Sequence, residues 1–170
     1  VNRFLSPMTD IIMDNEGTID KYMGDCIMSI WNDHLDVKDQ EKMEVKSALQ
    51  MHEALEILNA DLVDEGLLPI NIGIGINTGP AVVGNMGSNQ RFDYSVLGDA
   101  VNLAARLEGQ TKGYGVKTIV GRDTAKELAE AYAVIKIDKL AVKGKPEGVA
   151  IYNVLPLTLS WWNANSPIVM

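Results

Sequence analysis

Ile70, Ile72, Ile74 and Ile76 alternate with Asn71, Gly73, Gly75 and Asn77, a period of two that suits a strand and no helix. The strand this predicts has one isoleucine face and one nearly bare face. A face carrying two glycines is poor for ordinary packing, so either a neighbouring element or a ligand must approach that backbone closely. This segment sits within a chain whose other patterns switch repeatedly between helical and extended.

Phe4, Leu5, Met8, Ile11 and Ile12 keep a helical rhythm up to the turn-like Asp14-Asn15-Glu16-Gly17. Thr18 to Met23 and Cys26 to Trp31 flank Gly24-Asp25 and read as a hairpin with Asp25 near its turn. Val45, Ala48, Met51, Leu55, Leu58 and Leu62 recur at spacings of three and four, which predicts a long helix with Asp36 or Asp39 as N-cap and Gly66 as stop. After Thr78-Gly79-Pro80, residues 81 to 83 read as extended and 84 to 89 as a loop or hairpin tip. Val101 to Leu107 reads as a helix closed by Gly113 and Gly115. A strand at 116 to 120, a helix at 123 to 132 and strands at 134 to 142 and 149 to 154 complete the pattern. Mixed strands and helices with hairpins predict a single α+β sandwich, with a tail of residues 156–170 left unplaced.

The chain has 170 residues with a net charge of -8, so its overall field repels nucleic acid and anionic lipid. No apolar run reaches the roughly 20 residues of a membrane helix. A single cysteine, Cys26, excludes an internal disulfide, and a reducing, cytoplasmic setting is expected. His34 and His52 lack partners at metal-ligand spacing and read as structural or exposed; Cys26 reads as a small buried residue. The dinucleotide fingerprint fails because Thr78 stands where Gly73-Ile74-Gly75-Ile76-Asn77 would need its last glycine, and no P-loop occurs. The nucleophile elbow and the helical zinc-protease motif are absent too.

Several polar residues lie where the local pattern favours apolar ones. Lys21 precedes Asp25 by four residues, so both belong near one end of the hairpin: a surface ion pair is the plain reading, a carboxylate for a hard cation the sharper one. Asn102 and Arg106 share a helix face at i, i+4, either a solvated surface or an amide and guanidinium for ribose and phosphate. Lys143 and Lys145 flank Gly144 in a turn, where lysines act as point charges for phosphate.

Taken in order, the blocks 17–25, Gly73-Ile74-Gly75-Ile76-Asn77-Thr78-Gly79, Gly84-Asn85-Met86-Gly87-Ser88, 92–108 and Val142-Lys143-Gly144-Lys145 resemble the class III nucleotidyl cyclase catalytic domain, most of all the bacterial adenylate cyclase type. The resemblance covers about residues 1–155 and implies a ferredoxin-like (βαββαβ-type) sandwich. Family members begin with a strand bearing Phe-x-Asp, a motif not found here, so the resemblance implies a chain that starts after that strand and its following helix, lacks the first metal aspartate and is inactive by itself, its parent protein being the enzyme.

The resemblance makes Asp25 a metal-binding aspartate and Lys21 and Ser95 the purine-recognising pair. It gives Asn102 the ribose, Arg106 the transition-state charge on the α-phosphate, and Lys143, with Arg91 more weakly, the phosphates. It implies an adenylate cyclase that converts ATP into 3',5'-cyclic AMP and pyrophosphate with two divalent ions, Mg²⁺ or Mn²⁺. It further implies a homodimer whose metal aspartates come from one protomer and whose purine, ribose and transition-state residues come from the other. A membrane connection is expected only through regions outside this sequence. The other reading is a catalytically silent cyclase-like module that holds nucleotide or dimerises.

Overall fold

The computed structural model describes residues 1–32, 37–88, 91–142 and 145–157. Its elements are α1 (Asn2–Asp14), β1 (Thr18–Met23), β2 (Cys26–Ile30), α2 (Gln40–Asp64), β3 (Ile74–Ile76), β4 (Val82–Ser88), β5 (Arg91–Leu97), α3 (Asp99–Tyr114), β6 (Thr118–Gly121), α4 (Arg122–Leu128), β7 (Tyr132–Val142) and β8 (Lys145–Pro156). A four-stranded mixed sheet has the order β3-β6-β8-β7, with β3 parallel to β6 and the other neighbours antiparallel. β1-β2 and β4-β5 are separate two-stranded ribbons.

The strand alternation sorts the core onto two faces. Val120 and Val154 point to one side, where Val45 and Ala48 of α2 and Ala125 and Leu128 of α4 cover them. Ile119 and Ile151 point to the other side, under Leu103 and Leu107 of α3. A third cluster, Phe4, Met8 and Leu55, fastens α1 to α2. The α+β sandwich expected from the sequence is therefore present, with helices on both faces of the sheet.

The bare glycine face is covered by α3. A Cβ on Gly75 would fall on the backbone of Ala104 and Glu108, and one on Gly73 on the side chain of Thr111. A neighbouring element, not a ligand, accounts for both glycines. The helix then ends where expected, at Gly115 in the left-handed region with φ 65°.

Several boundaries differ from the sequence reading. Only Ile74–Ile76 of the isoleucine run forms a strand, because β6 supplies partners for three residues and no more. Upstream, the Asn59 side chain binds both the backbone N–H and the C=O of Ile70, replacing a strand neighbour. β4 continues through the residues read as a loop or hairpin tip, since β5 pairs with it from Val82↔Leu97 to Ser88↔Arg91. α4 stops at Leu128, which lets Tyr132 begin β7 and pack against the core. Asp39 precedes α2, yet its carboxylate pairs with Lys42 at 3.1 Å and makes no cap bond. Cys26 is exposed, contrary to expectation, because it opens β2 at the free end of the first hairpin. His52 is structural, its Nε2 3.1 Å from Thr118 Oγ1. His34, Asp36, Lys143 and most of the tail, 158–170, lie outside the described residues. Among the described residues no helix is long and apolar enough to cross a membrane.

One buried acid has a measurable cost. Glu44 Oε2 on α2 is sealed from solvent and has no hydrogen-bond partner among the described residues. Burial, helped by the neighbouring Glu41 charge, pushes the carboxyl up to about 8 from 4.5. The native state thus keeps the Glu44 proton over a range in which the unfolded chain has released it. Its contribution is harmless below the unfolded value and becomes destabilising as pH rises toward the folded one. Glu44→Gln is expected to raise Tm at about pH 8 by roughly 5–10 °C and by much less near pH 4.5. Thermal melts of both proteins across that range check it.

Candidate active site

Lys21 and Ser95 are far apart in sequence, and a defect in the first ribbon brings them together. In the β1-β2 pairing Ile19 faces Ser29 while Lys21 faces Met28, so Asp20 is an extra residue on β1. Such a bulge breaks the alternation that would send neighbouring side chains to opposite faces. Asp20 and Lys21 consequently converge on one point of β5. Lys21 Nζ donates to Ser95 Oγ at 2.8 Å, and Ser95 Oγ donates to Asp20 Oδ2 at 3.1 Å. Lys21 Nζ also lies 3.4 Å from Asp20 Oδ2, closing a triangle.

Burial separates the three roles. The Asp20 side chain is 0% exposed and that of Lys21 43%, so the lysine reaches solvent while the carboxylate that pairs with it does not. Ser95 is buried at 4%. Asp20 Oδ1 has no partner among the described residues. The sequence reading did not single out Asp20; its position beside Lys21 was visible, but simple alternation would have pointed it away.

Asp25 follows Gly24, whose φ of 67° makes the tight turn, and is exposed at the tip of the ribbon. It does not pair with Lys21, which is held by Asp20 and Ser95 instead. The Cys26 thiol is pushed up by burial and then by the charges of Glu108 and Asp25.

Asn102 and Arg106 are both exposed, one turn apart on α3, while Leu103 and Leu107 on the same helix are buried. Arg106 lines a shallow pocket of about 340 Å³ with Leu103, Gly109, Gln110, Leu140 and Ala141. Ala141, near the end of β7, precedes Lys143 by two residues in the sequence. No described residue forms an ion pair with the Arg106 guanidinium, whose planar fork of donors suits paired phosphate oxygens. Arg91 pairs with Ser88 across the second ribbon. The structure thus joins Lys21 to Ser95 directly and places Asn102 with Arg106 on one face; among the described residues no hydrogen bond or ion pair links either pair to Asp25.

Among the described residues no group of three or more His, Cys, Asp or Glu side chains could form a metal cage. Asp25 offers a single hard carboxylate at an exposed turn. That donor suits Mg²⁺, which binds through one or two carboxylates and completes its shell with water and substrate phosphates.

The family described as Adenylate and Guanylate cyclase catalytic domain matches residues 1–155. An adenylate cyclase of Anabaena cylindrica is 37% identical over 161 residues, covering 91% of this chain and 31% of the relative. Among solved structures, a guanylyl cyclase is 32% identical with a TM-score of 0.82, covering 94% of this chain and 80% of that one. The adenylyl cyclase CyaB from P. aeruginosa is 28% identical with a TM-score of 0.82, covering 93% and 81%. The chain spans about a third or less of the length of the curated relatives it matches.

Proposed function

The chain belongs to the adenylate and guanylate cyclase catalytic domain family, and from that premise we propose that it converts ATP into 3',5'-cyclic AMP and pyrophosphate. The observation that carries the choice of ATP is the Lys21-Ser95 contact of 2.8 Å. An ammonium has donors only, and adenine N1 is an acceptor; guanine carries a proton on N1 and would meet Lys21 donor to donor. The likeness to solved structures does not choose between the purines, since one neighbour is a guanylyl and the other an adenylyl cyclase.

The reaction is an intramolecular phosphoryl transfer. The ribose 3'-oxygen forms a bond to the α-phosphorus, the bond to the β-phosphate oxygen breaks, the hydroxyl proton is lost to solvent, and pyrophosphate leaves. In this reading Lys21 and Ser95 hold the purine and the Asn102 amide orients the ribose. Arg106 stabilises the charge that builds on the α-phosphate oxygens, and Lys143 and Arg91 contact the outer phosphates. Positioning and charge stabilisation account for most of the catalysis in such transfers. Asp25 would hold divalent cations, two Mg²⁺ or Mn²⁺ shared with the triphosphate, which when bound lower the pKa of the 3'-hydroxyl and neutralise the phosphates.

We further propose a homodimer with two shared sites, Asp25 coming from one protomer and Lys21, Ser95, Asn102 and Arg106 from the other. Val82 and Leu97 support this: they face each other across the β4-β5 ribbon and are 69% and 60% exposed. Paired apolar side chains left exposed on a ribbon favour burial by a partner. The catalytic domain on this reading is 1–155, with 156–170 a tail, and its setting is the cytoplasm.

The test gives the full-length protein that carries this chain ATP or GTP with Mg²⁺ or Mn²⁺ and identifies the product by mass. Cyclic AMP from ATP is expected, and Asp25→Ala should abolish it. Cyclic GMP alone would overturn the substrate, and no turnover with either nucleotide would favour a silent nucleotide-binding module.

A further inference from the structure

We infer that Asp20 is the positioning residue that makes the purine pocket selective for a 6-amino purine, by fixing which way the Ser95 hydroxyl points its proton. The inference rests on the ATP reading above and concerns how that choice is made. A serine hydroxyl has one proton and two lone pairs. Asp20 Oδ2, an acceptor, takes the proton at 3.1 Å. Lys21 Nζ, a donor, occupies one lone pair at 2.8 Å. Only the second lone pair remains, so toward a ligand Ser95 can accept and cannot donate.

The pair therefore presents a fixed code of one donor, Lys21, beside one acceptor, Ser95. Adenine answers it with the N1 acceptor and the N6 amino donor. Guanine in the same pose offers N1–H and O6, which mismatches at both places. Mismatched buried polar groups discriminate far more strongly than a missing methylene does. Without Asp20 the Ser95 proton is free to rotate toward O6, and half of the code is lost.

The cost of keeping Asp20 supports a role beyond packing. Its side chain is fully shielded, and Oδ1 has no partner among the described residues. Burying a carboxylate with one oxygen unpaired is unfavourable, and an apolar residue at the bulge would avoid the penalty. The bulge itself exists at this residue, where it turns the carboxylate toward Ser95.

The experiment compares wild type, Asp20→Asn, Ser95→Ala and the double variant. It reads the ratio of kcat/KM for ATP to that for GTP and the melting temperature of each protein. Equilibrium binding of ATP and GTP supplies the same ratio for any variant too slow to assay. Asn at position 20 keeps the shape but can donate to Ser95, so its ratio is expected to fall about 10-fold or more, with GTP the gainer. Ser95→Ala should lower the ratio comparably, and adding Asp20→Asn to it should change nothing further.

A folded Asp20→Asn protein that keeps the wild-type ratio within about twofold overturns the inference. Should that variant not fold, Asp20→Leu, which removes the acceptor without adding a donor, decides by the same ratio from equilibrium binding: an unchanged ratio overturns the inference and a collapsed one supports it. Wild-type protein that prefers GTP would sink the ATP reading itself. Wild-type preference for ATP with an unaltered Asp20→Asn ratio would sink this inference alone.

Discussion

Arg106→Ala is expected to lower kcat with ATP on the order of 100- to 1,000-fold while KM moves by less than about threefold. The reason lies in where the side chain is and what it lacks. Arg106 is exposed on α3, no described residue forms an ion pair with its guanidinium, and the helix is anchored by Leu103 and Leu107 instead. Its removal should leave the melting temperature nearly unchanged. Charge on the α-phosphate oxygens rises mainly as the transition state forms, so a group that meets it there acts on turnover more than on binding. Lysine at this position should recover only part of the loss, because an ammonium lacks the planar fork that engages two oxygens at once. Steady-state kinetics together with melts of the three proteins separate this from a structural effect, and a change confined to KM would contradict the assigned role.

The second large effect is on folding. Gly75→Val should destabilise the protein by about 3 kcal/mol or more, because the new side chain has no open volume to enter. The atoms it meets are the backbone of Ala104 and Glu108, which no rotamer change can move aside. α3 would have to lift from β3, and with it Leu103 and Leu107 would leave Ile119 and Ile151. Asn102 and Arg106 ride on the same helix, so activity should fall together with stability. Gly84→Ala is the matching control, since a Cβ there meets nothing within 4 Å. Chemical denaturation of both variants measures the difference.

The glycine face shows how far the sequence could be read. The Ile70 to Ile76 alternation announced a strand with one bare side, and the close approach that this demanded is made by α3. The same pattern could not say where pairing would stop, because the length of β3 is set by its neighbour β6, 44 residues further on. Local rhythm also gave α1, α2 and the first hairpin, whose turn and repeat lie within a few residues of one another. It missed the β4-β5 ribbon, since Gly84 and Gly87 look like loop residues until a partner strand pairs with them.

The site divides in the same way. Asn102 and Arg106 were legible as a helix face from spacing alone, and the structure keeps them there. Lys21 and Ser95 were linked only by resemblance; their contact depends on a bulge that leaves no mark in the pattern of apolar residues. Asp20 was missed for the same reason. Lys143 falls outside the described residues, so its contact with the terminal phosphates stays an expectation of the resemblance.

The central claim is that one ATP is cyclised between two copies of this chain, with Asp25 from one and Arg106 from the other. Mixing equal amounts of Asp25→Ala and Arg106→Ala proteins, each inactive alone, tests it most directly, with cyclic AMP from ATP measured by mass. Random exchange puts half of the dimers in the mixed form, each with one intact site, so activity should return to about a quarter of wild type. A mixture as inactive as its components, under conditions where subunits demonstrably exchange, would contradict the claim.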